Sequence, residues 1–260
     1  MRQGQVAPLG AVVLTLLFSN IAKAQEIPPA KVDRGGYLYR VVMVQAAPGK
    51  IVELIDLLKK QAETTVAGGD AAPLWMRHSQ GDHWDLMLLY PMGSYGEYYS
   101  AERIAHREKA KIAVVELLRR VREDIAWEED LFSYGPPIET LKAAFLAAGL
   151  FHVEMIRALP GRQADLVKER EMESAYNKNL GRPELLIFLR DQGAAWDVFS
   201  IDCYRDIKHY AESADIPQEK QQAAARAAGY ASPDEIGPKF RTVLATHHDT
   251  LAVALSPASR

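Results

Sequence analysis

Tyr39, Val41 and Met43 alternate with Arg40, Val42 and Val44 and run into Pro48-Gly49-Lys50. Period-two alternation ending at a Pro-Gly turn predicts a strand followed by a helix. Residues 151–156, followed by Pro160-Gly161-Arg162, repeat the pattern. Apolar runs on either side of Gln80-Gly81-x-x-Trp84-Asp85 predict a hairpin of strands 74–79 and 84–90, because the glycine permits a tight turn. Gln192-Gly193-x-x-Trp196-Asp197 predicts a second hairpin, 185–190 and 196–202. Helical spacing then appears at 94–99 and through Val114, Leu117, Leu118, Val121 and Ile125, before a strand at 131–134. The second half shows helical stretches at 206–212, 218–228 and 234–244, then a strand at 250–255. Residues 138–148 predict a helix that connects the halves.

Residues 37–100 laid on 149–212 match without a gap at a constant offset of 112. Met43/Met155, Pro48/Pro160, Gly49/Gly161, Gly81/Gly193, Trp84/Trp196 and Asp85/Asp197 are among the identities. A fixed offset across two local motifs marks an internal repeat. Each unit reads β-α-β-β-α-β. The predicted fold class is therefore α+β, with ferredoxin-like units at 25–135 and 149–260 and a connection at 136–148.

The first 24 residues differ from the rest. Arg2, an apolar stretch with its densest part at 11–18, and Ala22-Lys23-Ala24 have the order of an export signal cleaved before Gln25. The apolar part is too short to span a bilayer of about 20 residues. The mature chain is accordingly expected to be periplasmic or secreted and not integrated in a membrane. A net charge of −3 and the lack of a basic stripe interleaved with aromatics argue against nucleic acid. Cys203 is the only cysteine, which excludes an intrachain disulfide.

The strand order, the duplication and the pairs Trp84-Asp85 and Trp196-Asp197 resemble the dimeric α/β-barrel superfamily. That group includes cofactor-free monooxygenases of the antibiotic-biosynthesis type, EthD-like and NIPSNAP-like proteins, and haem-binding relatives. The resemblance implies two sheets facing each other to form a barrel, here within one chain.

Candidate chemistry comes from sorting the strands by face. Tyr39, Val41 and Met43, with Phe151, Val153 and Met155, form a wholly apolar face expected under the helices. The opposite face carries Arg40 in the first unit and His152 and Glu154 in the second. The third strands add Trp84 and Tyr90, and Trp196, Ser200 and Asp202, to that face, which is expected to line the barrel. Polar groups among apolar neighbours must be paired or hydrated. His152 is thus a candidate acid or base oriented by Glu154 or Asp202. Arg40, Tyr90, Ser200, Trp84 and Trp196 are candidate ligand contacts. A salt-bridged seam between sheets, or an edge strand open to solvent, is the structural alternative.

No metal site is expected, because His247 and His248 are adjacent and would point to opposite faces of a strand, and no zinc-binding spacing occurs. No cofactor is expected either, with haem the alternative that the resemblance leaves open. There is no haem-attachment motif, and His106 and His209, in helical stretches, read as solvated or capping residues. The expected function is binding of a small, partly apolar molecule between the sheets. A cofactor-independent monooxygenase-like enzyme and a non-catalytic interaction protein are the alternatives, and self-association is compatible with each.

Overall fold

Pro48-Gly49 and Pro160-Gly161 do what their chemistry requires: both glycines adopt a φ of +78°, a left-handed conformation that glycine reaches at little cost. Each turn feeds a helix. In the computed structural model, which describes residues 36–112 and 114–255, the first unit begins with strand β1 (Tyr37–Ala46) and helix α1 (Ile51–Ala67). The hairpin of β2 (Leu74–Gln80) and β3 (Leu86–Gly93) follows. Short α2 (Tyr95–Tyr98), α3 (Ala101–Ile112) and α4 (Val115–Glu123) lead to β4 (Ile125–Gly135). The connecting helix is α5 (Ile138–Ala147). The second unit repeats the order with β5 (Leu150–Ala158), α6 (Gln163–Leu180), β6 (Leu186–Gly193) and β7 (Val198–Tyr204). Helices α7 (Ile207–Ala211), α8 (Gln218–Ala227) and α9 (Ile236–Arg241) precede β8 (Leu244–Ala254). The expected export signal, residues 1–24, lies outside the described residues, and among these no helix is long and apolar enough to cross a membrane.

The eight strands close into one barrel in the order β1-β3-β2-β8-β5-β7-β6-β4. Two seams join the units: β2 with β8 and β4 with β6, both antiparallel. Two strands start six residues earlier than the sequence pattern predicts. β4 already begins at Ile125 and β8 at Leu244, so His247, His248 and Asp249 lie in the last strand and do not precede it.

The Trp-Asp pairs have a structural task. Asp85 accepts a hydrogen bond from the Ala46 amide at 2.8 Å, and Asp197 accepts one from the Ala158 amide at 2.9 Å. Each carboxylate thus fastens the end of the first strand to the start of the third, at positions 112 residues apart.

The assignment of faces is the reverse of the sequence expectation. Tyr39, Val41, Met43, Phe151, Val153 and Met155 fill the barrel interior together with Trp84, Met87, Phe188 and Phe199. Tyr39 of the first sheet meets Phe188 of the second edge-to-face at 5.4 Å. Leu141 on α5 belongs to the same cluster and is fully buried. The face bearing Arg40, His152 and Glu154 looks outward, toward the helices: Val42 and Val44 pack with Leu54, Leu57 and Leu58 of α1, and Ile156 packs with Leu166 of α6. The physical reason is that the interior of a closed eight-stranded barrel is remote from water, so the face without polar groups belongs there. The helix-covered face can accept charges, because a helix brings side chains to pair with them.

Candidate functional site

The outer face of the second sheet carries a continuous row of charge. His152 on β5 stands opposite Asp202 on β7, and Glu154 stands between Ser200 on β7 and Asp249 on β8. The His152 Nδ1–H donates to Asp202 Oδ2 at 3.2 Å, and its Nε2 lies 3.4 Å from Asp249 Oδ1. Burial alone would push this imidazole down, but the hydrogen bonds to Asp202 and Asp249 and the charge of Glu154 outweigh it and hold it up to about 10. At neutral pH His152 is therefore an imidazolium. Its contact with His152 is also the largest cause that holds Asp249 below the usual carboxylate range.

Behind this row lies an arginine that no sequence motif announces. Arg170 on α6 has a side chain only 1% exposed. Its Nη1 donates to Glu154 Oε2 at 2.5 Å, its Nη2 donates to Glu169 at 2.9 Å and also to Glu173, and its guanidinium stacks over Phe240 at 4.0 Å. Burial, against the opposing pull of Arg170, pushes the Glu173 carboxyl up to about 7. Tyr230 donates to Glu169 Oε1 at 3.0 Å and completes the cluster. A buried cation shared by several carboxylates is sustained only when hydrogen bonds satisfy each partner. The row opens toward solvent at Asp249, whose side chain is 52% exposed, and at half-buried His247. An open groove of about 540 Å³, lined by Gly81, Asp82, His83, His248 and Asp249, reaches the same aspartate from the seam between units.

The predicted site residues separate into two groups. His152, Glu154, Ser200 and Asp202 converge as expected, although on the outer face and not inside the barrel. Arg40 does not face them. It sits on the outer face of the first sheet, paired with Asp130 at 2.5 Å and lying over the Tyr90 ring at 5.8 Å. Trp84 is buried in the barrel interior at 1% exposure. Trp196 is half-buried beside the same cluster, and its Nε1–H donates to Glu129 at 3.1 Å. Neither tryptophan shares a face with the third-strand residues two places further on, Leu86 and Val198, which pack under the helices. Asp85 and Asp197 intervene outside the regular strand, and the alternation slips by one place there. The volume between the sheets, expected to seat a ligand, is filled by side chains. The row also includes Arg170 and Asp249, which the sequence does not single out, and His247, which the sequence reading sets aside. The register of β5 with β8, in a strand longer than the sequence pattern predicts, brings His247 and Asp249 beside Glu154.

A pH dependence follows from the clamp on His152. Its folded-state value lies above the ordinary one, so its contribution to stability is complete below about pH 6.5 and is lost as pH rises toward 10. Urea melts at pH 6, 8 and 10 should show a decline in the parent protein that His152→Gln lacks. Parallel profiles would refute the clamp.

No protein-family profile matches the chain. No curated protein matches it in sequence. Solved structures do match in fold. An anthrone oxidase-like protein superposes with a TM-score of 0.55 at 12% identity, over 85% of this chain and 92% of that one. A monooxygenase candidate from Lactobacillus acidophilus NCFM gives 0.48 at 7% identity, over 84% and 93%. Chlorite dismutase from Candidatus Nitrospira defluvii, in complex with imidazole, gives 0.46 at 12%, over 86% and 92%. The fold is thus that of the dimeric α/β-barrel proteins, formed here by two units of one chain. The expectation of no cofactor is corrected, since chlorite dismutases stand among the solved structures that match in fold. Haem itself does not fit the residues present. The space between α6 and the second sheet is occupied by Arg170, Leu166, Val167 and Phe240. His106 is exposed on α3, and His209 is tied into the start of α7, its amide donating to Asp206.

Proposed function

We propose that the chain is an oxidoreductase of the monooxygenase-like kind, acting on a small hydroxylated aromatic molecule at the outer face of its second sheet. The observation that carries this reading is the clamp on His152. An imidazolium fixed between Asp202 and Asp249, on a half-open part of the surface, is oriented to donate to a substrate oxygen on which negative charge develops. A substrate oxygen would take the place of exposed Asp249 at Nε2, while buried Asp202 keeps hold of Nδ1. The Tyr210 ring, 5.9 Å from the imidazole, offers a flat apolar wall for an aromatic ligand. The likeness in fold to an anthrone oxidase-like protein supports the reaction class by analogy. As part of the same reading, the pattern of residues 1–24 directs the chain out of the cytoplasm.

Oxygen uptake with a panel of anthrones and hydroquinones tests the proposal. His152→Gln should lower the rate about 100-fold or more, while Arg40→Gln, on the other sheet, should leave it intact. Uptake no faster than without protein, or a fully active His152→Gln, would overturn it.

A further inference from the structure

We propose that Glu154, His247 and Asp249 form a binding site for a divalent first-row metal ion on the outer face of the second sheet. β5 and β8 run antiparallel with Glu154 opposite Asp249 and Ile156 opposite His247. Residues two apart on a strand share a face, so this register brings all three side chains to one side. One donor atom from each lies within 4.8 Å of the others. Ligands of one ion at about 2.0–2.2 Å from it stand roughly 3–4 Å apart, so small side-chain rotations would bring the three into contact with an ion. Glu154 is buried beneath, His247 is half-buried and Asp249 is exposed. The site would be closed on one side and open to water or a ligand on the other, the form of metal sites that keep an exchangeable position.

Two further observations point the same way. Glu154, Glu169 and Glu173 share a single buried guanidinium, Arg170, while Asp202 and Asp249 meet only imidazole rings, those of His152 and His247, the latter with its Nε2 at 2.9 Å from Asp249 Oδ2. One oxygen of buried Asp202, Oδ1, has no hydrogen-bond partner among the described residues. Half-buried negative charge of this kind is neutralised by protons or by a cation. The supports for the donors are also in place. Arg170 and Ser200 hold Glu154 by its Oε2, at 2.5 and 3.4 Å, which leaves Oε1 to coordinate. His152 orients Asp249. Such outer contacts set the direction and basicity of metal ligands. One imidazole with two carboxylates suits Zn²⁺ or Mn²⁺ better than the softer or larger ions. The inference shares Asp249 with the oxidation reading but does not rest on it, because an ion can bind whether or not a substrate turns over.

Isothermal titration of the metal-stripped full chain with ZnCl₂ and with MnCl₂, together with thermal melts, tests the site. One equivalent of at least one ion should bind and raise Tm. His247→Gln and Asp249→Asn, both at accessible positions, should weaken binding at least tenfold. His248→Gln, whose ring faces Trp196 and Asp82 instead, should leave it unchanged. The absence of binding by either ion, or binding lost in His248→Gln and retained in Asp249→Asn, would overturn the proposal. Oxygen uptake measured with and without the ion is a separate readout, so failure of the metal site and failure of the enzymatic reading are distinguishable.

Discussion

Gly81→Ala and Gly193→Ala should each cost on the order of 3 kcal/mol or more in urea melts, because each glycine sits where one unit meets the other. A Cβ on Gly81 would lie 2.2 Å from the Asp249 carbonyl oxygen in β8, and one on Gly193 would lie 2.4 Å from the Asp130 carbonyl oxygen in β4. Both contacts are with backbone, which has little freedom to retreat. Their φ values, +123° and +79°, add strain of their own for any residue with a Cβ. Gly49 and Gly161 separate the two causes, since each has a φ of +78° and nothing within 4 Å of an added Cβ. Alanine at these positions should therefore cost only about 1 kcal/mol, the price of the backbone conformation alone. Equal losses at the turns and at the seams would mean that the seams yield easily. Since an opened seam exposes unpaired strand edges, the seam variants should also form oligomers on size-exclusion chromatography before they unfold.

Arg170→Met is the second large effect. Removing the guanidinium leaves Glu154, Glu169 and Glu173 facing one another with little water, and breaking a buried ion cluster from one side costs about 3–5 kcal/mol. Its dependence on pH distinguishes a loss of charge from a loss of volume. Arg170 is the charge that opposes the burial of Glu173, so without it this carboxyl gains a further preference for the protonated form in the folded state. A carboxyl whose folded-state value is raised contributes stability that is complete below its unfolded value and is lost as pH rises through its folded value. The deficit of the variant should therefore be large at pH 8 and shrink toward pH 5. A loss that is uniform across pH would assign the role of Arg170 to packing against Phe240.

Much of this fold is legible in the chain because turns announce themselves. Pro48-Gly49, Gln80-Gly81 and their partners 112 residues later mark where strands must end, and alternation marks what runs between them. The onset of β4 is hidden for a physical reason: Val121 and Ile125 are four apart, which continues the helical spacing of α4, although Ile125 already belongs to the strand. The same shortening of β8 conceals that His247 and Asp249 are strand neighbours of Glu154. Which face of a strand enters the barrel is not written in β1, since both of its faces carry enough apolar surface to be buried. It is decided by β5, where Glu154 requires a partner that the barrel interior cannot offer. That partner, Arg170, lies in the run Lys168-Glu169-Arg170-Glu171, which looks like solvated helix surface until the helix is docked.

Covalent closure of the barrel also permits a division of labour. At equivalent positions the first unit has Val42, Leu88 and Tyr90 where the second has Glu154, Ser200 and Asp202. In an assembly of two identical subunits, a carboxylate introduced at one such position would appear twice, and both hydrophobic layers would bear its desolvation cost. With the halves on one polypeptide, one layer can remain a plain apolar support under α1 while the other tolerates buried charge. The first half then acts as the stable member against which the second can be altered, and substitutions that tune the charged row need not be compensated across the barrel.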